Sequence, residues 1–408
     1  MHKINLADIR SATHETVRDI NRRIILNLIR SRQPTSRAEL ARLSGLQRST
    51  VSLIVDGLLA DAWVREGSSG RTVRGRRPTL LRLNQNRMIL GMDLRPTTTR
   101  LGVADLYAHF VVQEVFPTGE DPEAFLKESI RRIRRLLDLY PADSWEGIGV
   151  SLPGRADPIS HRLVFAPNLK WKEVDLKTPL EQATGLPVQL ENAANACVLS
   201  EVWFGKDSDT VQDLLVVTVS EGIGVGIFAN GQLITGAGGF AGEFGHTTLD
   251  PNGPTCRCGK LGCWEVFASN TAALRYYDGG SSSMAEDFTF GDLVSLANQG
   301  NPQAVQAVKG MTRHLAAGLA NLAIGLSPGK IVVVGEITRL WSLVGPMIEQ
   351  AISDRSYAHS RLPELLPANE ADQPRLRGTI ALVIQKHFTA STGFRSYREG
   401  KESPSPPQ

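Results

Sequence analysis

The sequence predicts a duplicated α/β body preceded by a small basic helical module. Three observations carry that expectation. Two strand–turn–strand patterns recur far apart, Ile89–Leu94 with Leu101–Asp105 and Leu214–Val219 with Gly224–Ala229, each followed by helical and further strand patterns. Helical periodicity with start and stop signals marks three short helices within the first sixty or so residues. Charge is also divided. Residues 1–87 hold 17 Lys and Arg against 7 Asp and Glu, a net of +10, so the remainder of this +3 chain is net −7.

A basic module on an acidic body points to nucleic acid at the basic end. A length of 408 residues calls for two or three domains, and 41% hydrophobic with 21% charged residues is the balance of a water-soluble globular protein. No apolar run approaches the eighteen or so residues of a membrane span. Met1-His2-Lys3-Ile4-Asn5-Leu6-Ala7-Asp8 has no apolar core of a secretory leader. Four cysteines, three of them closely spaced, suit a reducing cytoplasm rather than a disulfide framework. The fourth, Cys197, falls in an apolar helical stretch and is expected in the core.

The module reads in order. Val17, Ile20, Ile24 and Leu28 form one apolar stripe of a helix ending near Arg30, and Pro34 breaks it. Ser36-Arg37-Ala38-Glu39 is a capping box opening a second helix, with Ala38, Leu40, Ala41 and Leu43 available for packing, and Gly45 makes the turn. A third helix follows from about Gln47, with Val51, Ile54, Val55, Leu58 and Leu59 inward. Its outward face carries Gln47, Arg48, Ser49, Thr50 and Ser52, side chains suited to base edges in a major groove. From Val64 to Leu83, strand-like ends flank a Gly- and Arg-rich run that looks like the wing of a winged helix-turn-helix. Arg71, Arg74, Arg76 and Arg77 there would reach phosphates or a narrow minor groove.

Within the body, Asn230-Gly231 is a hairpin turn, and Lys330–Glu336 reads as a buried strand entering a turn. Residues 241–265 hold the strongest local signal. His246, Cys256, Cys258 and Cys263 stand in the pattern H-x9-C-x-C-x4-C, the ligand set of a closed structural zinc site. Glu243 and Glu265 are carboxylates such a site does not need, which marks the loop as one that binds something else as well. Residues 394–408 are rich in Ser, Pro and charge, a composition expected to be disordered.

The zinc-loop segment resembles the signature of the ROK family (repressors, open reading frames and kinases). Gly149-Val150-Ser151-Leu152-Pro153-Gly154, Ala166-Pro167-Asn168-Leu169, Leu190-Glu191-Asn192-Ala193-Ala194-Asn195 and Glu221-Gly222-Ile223-Gly224-Val225-Gly226 agree with it. The resemblance covers roughly residues 88–340, and residues 15–83 resemble the DNA-binding domain of the family's repressors. It implies the two-lobed fold shared by actin, hexokinase and ribonuclease H, with a sugar bound between lobes. Gly154, Asn192, Glu243, His246 and Glu265 would face the sugar. His246 would then place one ring nitrogen on zinc and the other toward the ligand.

Three departures weaken phosphoryl transfer. Asp93-Leu94-Arg95-Pro96-Thr97-Thr98 stands where family kinases have a Gly-rich phosphate turn, and Pro96 removes a backbone donor. Glu221 stands where the second phosphate turn begins with a hydroxyl residue. Ala193 replaces the Asp that acts as general base, a loss on the order of 10²–10⁴ in rate. The expectation is therefore a cytoplasmic, non-enzymatic regulator, most simply a repressor. A sugar or sugar derivative would be its effector and operator DNA its partner, bound as a homodimer or homotetramer with no membrane involved. The alternatives are a sugar kinase that also binds DNA, or a regulator governed by a protein partner. The expected domains are a winged helix-turn-helix at 1–83, a sensing body at 84–393, and the tail at 394–408.

Overall fold

A computed structural model describes residues 14–67, 79–140, 144–157, 160–166, 168–169, 171–208, 210–279, 288–357 and 359–388. Two compact units emerge. The first groups Met1–Met88 with Pro141–Glu146 and Ile384–Gln408, and the second groups Ile89–Tyr140 with Gly147–Val383.

In the first unit, α1 (His14–Arg32), α2 (Arg37–Ser44) and α3 (Arg48–Ala60) are followed by the antiparallel pair β1 (Val64–Glu66) and β2 (Leu81–Leu83). Ser36 caps α2 by accepting from the Glu39 amide at 3.3 Å, while the Glu39 carboxylate turns to Arg42 instead of closing the expected box. Gly45 ends α2 at φ +70°, a left-handed value that suits glycine. Val51, Ile54, Val55 and Leu58 are buried on α3 as the pattern requires.

The inward face of α1 is not the expected one. Ile25, Leu26 and Ile29 are buried, whereas Val17, Ile20 and Ile24 are 47%, 37% and 41% exposed. Two stripes with helical spacing share this helix, and periodicity alone does not say which one neighbours cover. On α2, likewise, Leu40 and Ala41 are buried while Ala38 and Leu43 are exposed. The wing residues Arg71, Arg74, Arg76 and Arg77, and the tail at 394–408, lie outside the described residues.

The first half of the second unit runs β3 (Arg87–Leu94), β4 (Thr98–Ala104), β5 (Phe110–Pro117), α4 (Pro122–Leu139), β6 (Ser144–Leu152), β7 (Arg155–Ala156), β8 (Arg162–Phe165), β9 (Val174–Asp175), α5 (Lys177–Thr184), β10 (Val188–Asn192) and α6 (Ala193–Phe204). The second half runs β11 (Leu214–Val219), β12 (Ile223–Ala229), β13 (Gln232–Leu233), α7 (Glu265–Ala268), α8 (Asn270–Asp278), α9 (Phe290–Asn298), α10 (Pro302–Leu326), β14 (Lys330–Val334), α11 (Trp341–Arg355), β15 (Glu364–Pro367) and α12 (Pro374–Phe388). The ends of β3, β6 and α12 group with the first unit.

The duplication is plain in strand order. One sheet is β5-β4-β3-β6-β10 and the other β13-β12-β11-β14-β15, so both read third, second, first, fourth, fifth. In each, the first three strands are antiparallel neighbours and the last two are parallel. Tight turns suffice for the former and helical crossovers serve the latter. This is the two-lobed plan shared by actin and hexokinase. Asn230 and Gly231, at φ +51° and +73°, join β12 to β13 as the hairpin signal predicts.

Alternation along β11 builds two cores. Leu214 and Val216 face Cys197 and Val198 of α6, while Leu215, Val217 and Val219 join Met311, Leu315 and Leu319 of α10 and Val344 and Ile348 of α11. No helix among the described residues is long and apolar enough to cross a membrane.

Candidate functional site

A cleft of about 770 Å³, counting solvent space at its mouth, opens in the second unit. Its walls come from the ends of secondary-structure elements: β6–β7, the start of α6, the β11–β12 turn, and the loop leading to His246. Such edges expose backbone polar groups and side chains together, which suits a polyhydroxy ligand.

Asn192 holds one wall together. Its side chain caps α6 by accepting from the Ala194 amide at 2.8 Å and donates to the Gly154 carbonyl at 3.0 Å. Glu191 accepts from the Asn192 amide at 2.8 Å and the Asn195 side chain at 3.0 Å, and burial pushes its carboxyl above the usual range. Between them Ala193 contributes only a methyl to the cleft. A methyl cannot take a proton from a sugar hydroxyl.

Opposite stands Glu243, whose carboxyl is raised by burial against the opposing pull of His246 and Arg155. Arg155 Nη1 lies 3.7 Å from it, and the guanidinium sits 4.1 Å above the Phe240 ring. Arg155 was not anticipated, although it directly follows Gly154. The carboxylate of Glu265 ties the metal loop to β12, accepting from the Cys256 thiol at 3.0 Å and the Ile223 amide at 3.4 Å. The cleft thus brings together Gly154, Asn192, Glu243, His246 and Glu265.

Beside it, one ligand atom from each of His246, Cys256, Cys258 and Cys263 lies within 4.8 Å of the others. Cys256 Sγ is 3.6 Å from His246 Nδ1, and Cys258 Sγ is 3.6 Å from Cys263 Sγ. Zinc bonds of about 2.3 Å to sulfur and 2.0–2.1 Å to nitrogen give tetrahedral edges of about 3.4–3.8 Å, so the donor set fits the ion. Burial raises the Cys256 and Cys263 thiols, which are neutral until a cation compensates their charge. His246 turns Nε2 toward Glu243, at 3.9 Å, and so toward the cleft. Gly262 closes the loop at φ +61°, where a Cβ would lie 1.5 Å from the Asp250 carbonyl oxygen. Trp264, next to Cys263, is buried and donates Nε1 to the His314 carbonyl of α10 at 2.8 Å.

The first phosphate turn is filled rather than open. Asp93 has no exposed surface and faces Arg95 Nε at 2.7 Å and Arg375 Nε at 2.9 Å. Arg375 also lines the cleft, and Glu221, exposed, lines it at the second turn. On α3, Gln47, Arg48 and Ser49 are exposed while Thr50 and Ser52 are half-buried, with Gln47 at the cap position.

Comparison with known proteins follows this geometry. A family model described as "ROK family" matches residues 89–386. The chain is 31% identical over 379 residues to the xylose repressor of Bacillus subtilis, covering 91% of this chain and 96% of that protein. It is 28% identical to the N-acetylglucosamine repressor of Escherichia coli O157:H7, covering 90% and 93%. Among solved structures, a ROK family transcriptional regulator described as a homolog of the E. coli MLC protein superposes with a TM-score of 0.78 at 25% identity, covering 91% and 98%. A Streptomyces griseus glucokinase solved with glucose and AMPPNP gives 0.65 at 27% identity, covering 73% of this chain and 99% of the kinase. The regulators match nine-tenths of the chain, whereas this kinase leaves over a quarter unmatched.

Proposed function

The chain belongs to the ROK family, and on that footing we propose that it is a sugar-responsive transcriptional repressor that binds operator DNA and has lost kinase chemistry. What carries the reading is a match to repressors over nine-tenths of the chain, together with Ala193 lining the cleft where the family resemblance expects the catalytic base of the kinases. Asp93 clasped by two arginines supports it, because a cradle for polyphosphate needs free donors there.

In this reading Gly154, Asn192, Glu243, His246 and Glu265 receive the sugar, carboxylates accepting from hydroxyls and the Asn192 amide beside them. Zinc on His246, Cys256, Cys258 and Cys263 is structural. Its role is to fix the ring of His246 and the loop that presents Glu243 and Glu265. Residues 1–83 bind DNA through Gln47, Arg48, Ser49, Thr50 and Ser52 on α3 and Arg71, Arg74, Arg76 and Arg77 in the wing. The body at 84–393 senses the sugar. One helix reads only a few base pairs, so a homodimer or homotetramer acting on two half-sites in the cytoplasm completes the assembly.

The test is fluorescence anisotropy of a selected operator duplex, titrated with protein in the presence of a sugar panel that includes xylose and N-acetylglucosamine. A change of about 5–150-fold in DNA affinity with one sugar is expected, matched by an equal effect of operator on sugar binding. DNA affinity indifferent to every sugar, with a response to a protein partner instead, would overturn the sugar-sensing half of the reading.

A further inference from the structure

We propose that Leu53 is a specificity-determining residue that packs against the C5-methyl of a thymine in each operator half-site. This rests on the reading of α3 as the base-reading helix. Leu53 is 74% exposed, and among the described large hydrophobic side chains only Tyr357, at 76%, is more so. It stands four residues after Ser49 and three after Thr50, so it shares their face one helical turn further on. The buried side of the same helix is already complete with Val51, Ile54, Val55 and Leu58. Leu53 is therefore not a displaced core residue.

The charges around it favour DNA over an apolar protein surface. Arg18 is exposed and borders the same groove between α1 and α3 that Leu53 lines, and Arg48 is exposed at the first turn of α3. The one carboxylate further along this face, Asp56, is paired with Arg37 at 2.7 Å, so it does not stand alone against phosphate. A leucine donates and accepts no hydrogen bond and neutralises no phosphate. The apolar feature that a major groove offers it is the thymine methyl.

Deoxyuridine lacks only that methyl, which gives an atom-level experiment. Full-length protein is titrated with its selected operator, each thymine of a half-site being replaced in turn by deoxyuridine. One replacement per half-site is expected to weaken wild-type binding about four-fold, the worth of one buried methyl. Leu53→Ala should be insensitive to that same replacement while keeping the melting temperature of the parent, since the side chain is exposed. Wild-type affinity unchanged at every deoxyuridine, or an undiminished effect in Leu53→Ala, would overturn the proposal. A changed oligomeric state in Leu53→Ala with no deoxyuridine effect would also do so, and would assign the residue to a protein contact. Arg48→Ala separates this inference from the reading beneath it. If Arg48→Ala relaxes sequence preference and Leu53→Ala does not, α3 reads bases without Leu53. If neither does, α3 is not the reading helix.

Discussion

Arg375 and Asp93, 282 positions apart in the chain, meet with Nε and Oδ1 at 2.9 Å, and the carboxylate is wholly shielded from solvent. Burial alone would raise Asp93, but Arg375 and Arg95 overcome it and hold the carboxyl below its usual range. A depressed carboxylate stabilises the fold fully above its unfolded value, near pH 4, and that contribution is lost as pH falls through the folded value.

Asp93→Asn is therefore expected to cost about 3 kcal/mol at neutral pH, because it strands buried guanidinium charge. The deficit relative to the parent should shrink as pH falls below about 4, because the unfolded parent takes up a proton on Asp93 that the folded carboxylate still resists. Urea denaturation of both proteins across that range measures it. A deficit that stays constant down to pH 3 would mean that the ion pair is not its source.

Cys258→Ala is expected to lose bound zinc and the sugar response together. Three thiolates and one imidazole close the tetrahedron, so no ligand can be spared. Metal analysis by mass spectrometry and the anisotropy assay read the two outcomes. Full zinc content with normal sugar response would remove this cluster from the account.

Sugar-dependent ATP consumption should stay below about 1 s⁻¹ in the wild type, a modest rate for an enzyme. Ala193→Asp should not restore it, because Glu221 and the arginine-filled first turn still oppose a nucleotide phosphate. Turnover in the single variant would show the two turns to be no obstacle.

Glu243→Ala is expected to leave operator affinity unchanged and abolish its response to sugar. A parent-like sugar response in Glu243→Ala would move the effector out of this cleft.

Local patterns were legible in the sequence and distant meetings were not. His246, Cys256, Cys258 and Cys263 fall within one loop, so spacing alone pointed to their convergence. The strand pairs β3–β4 and β11–β12 announced themselves by apolar residues on either side of a short turn. Arg375 carried no signal of its partner, because a lone Arg at the start of a helix has many uses. Val17, Ile20 and Ile24 misled for a different reason. A helix with two apolar stripes satisfies the same periodicity twice, and neighbours choose between them. Leu53 was overlooked because a search for base-reading residues looks first for hydrogen-bonding groups.

Both ends of the metal loop are fixed, Trp264 by its bond to α10 and Gly245 by close packing on Ile223 of β12. Between them the stretch from Thr247 to Leu261 is largely exposed, anchored by Leu249 at the edge of the core and by Arg257 donating to Asn168 at 2.5 Å. The loop is therefore a strap tied at both ends. Loosening its exposed middle breaks few bonds while the packed ends stay in place, a low-energy excursion of the kind that precedes global unfolding. A chain stripped of the ion would then be expected to loosen this strap, and with it the hold on the His246 ring, well before the rest of the protein unfolds.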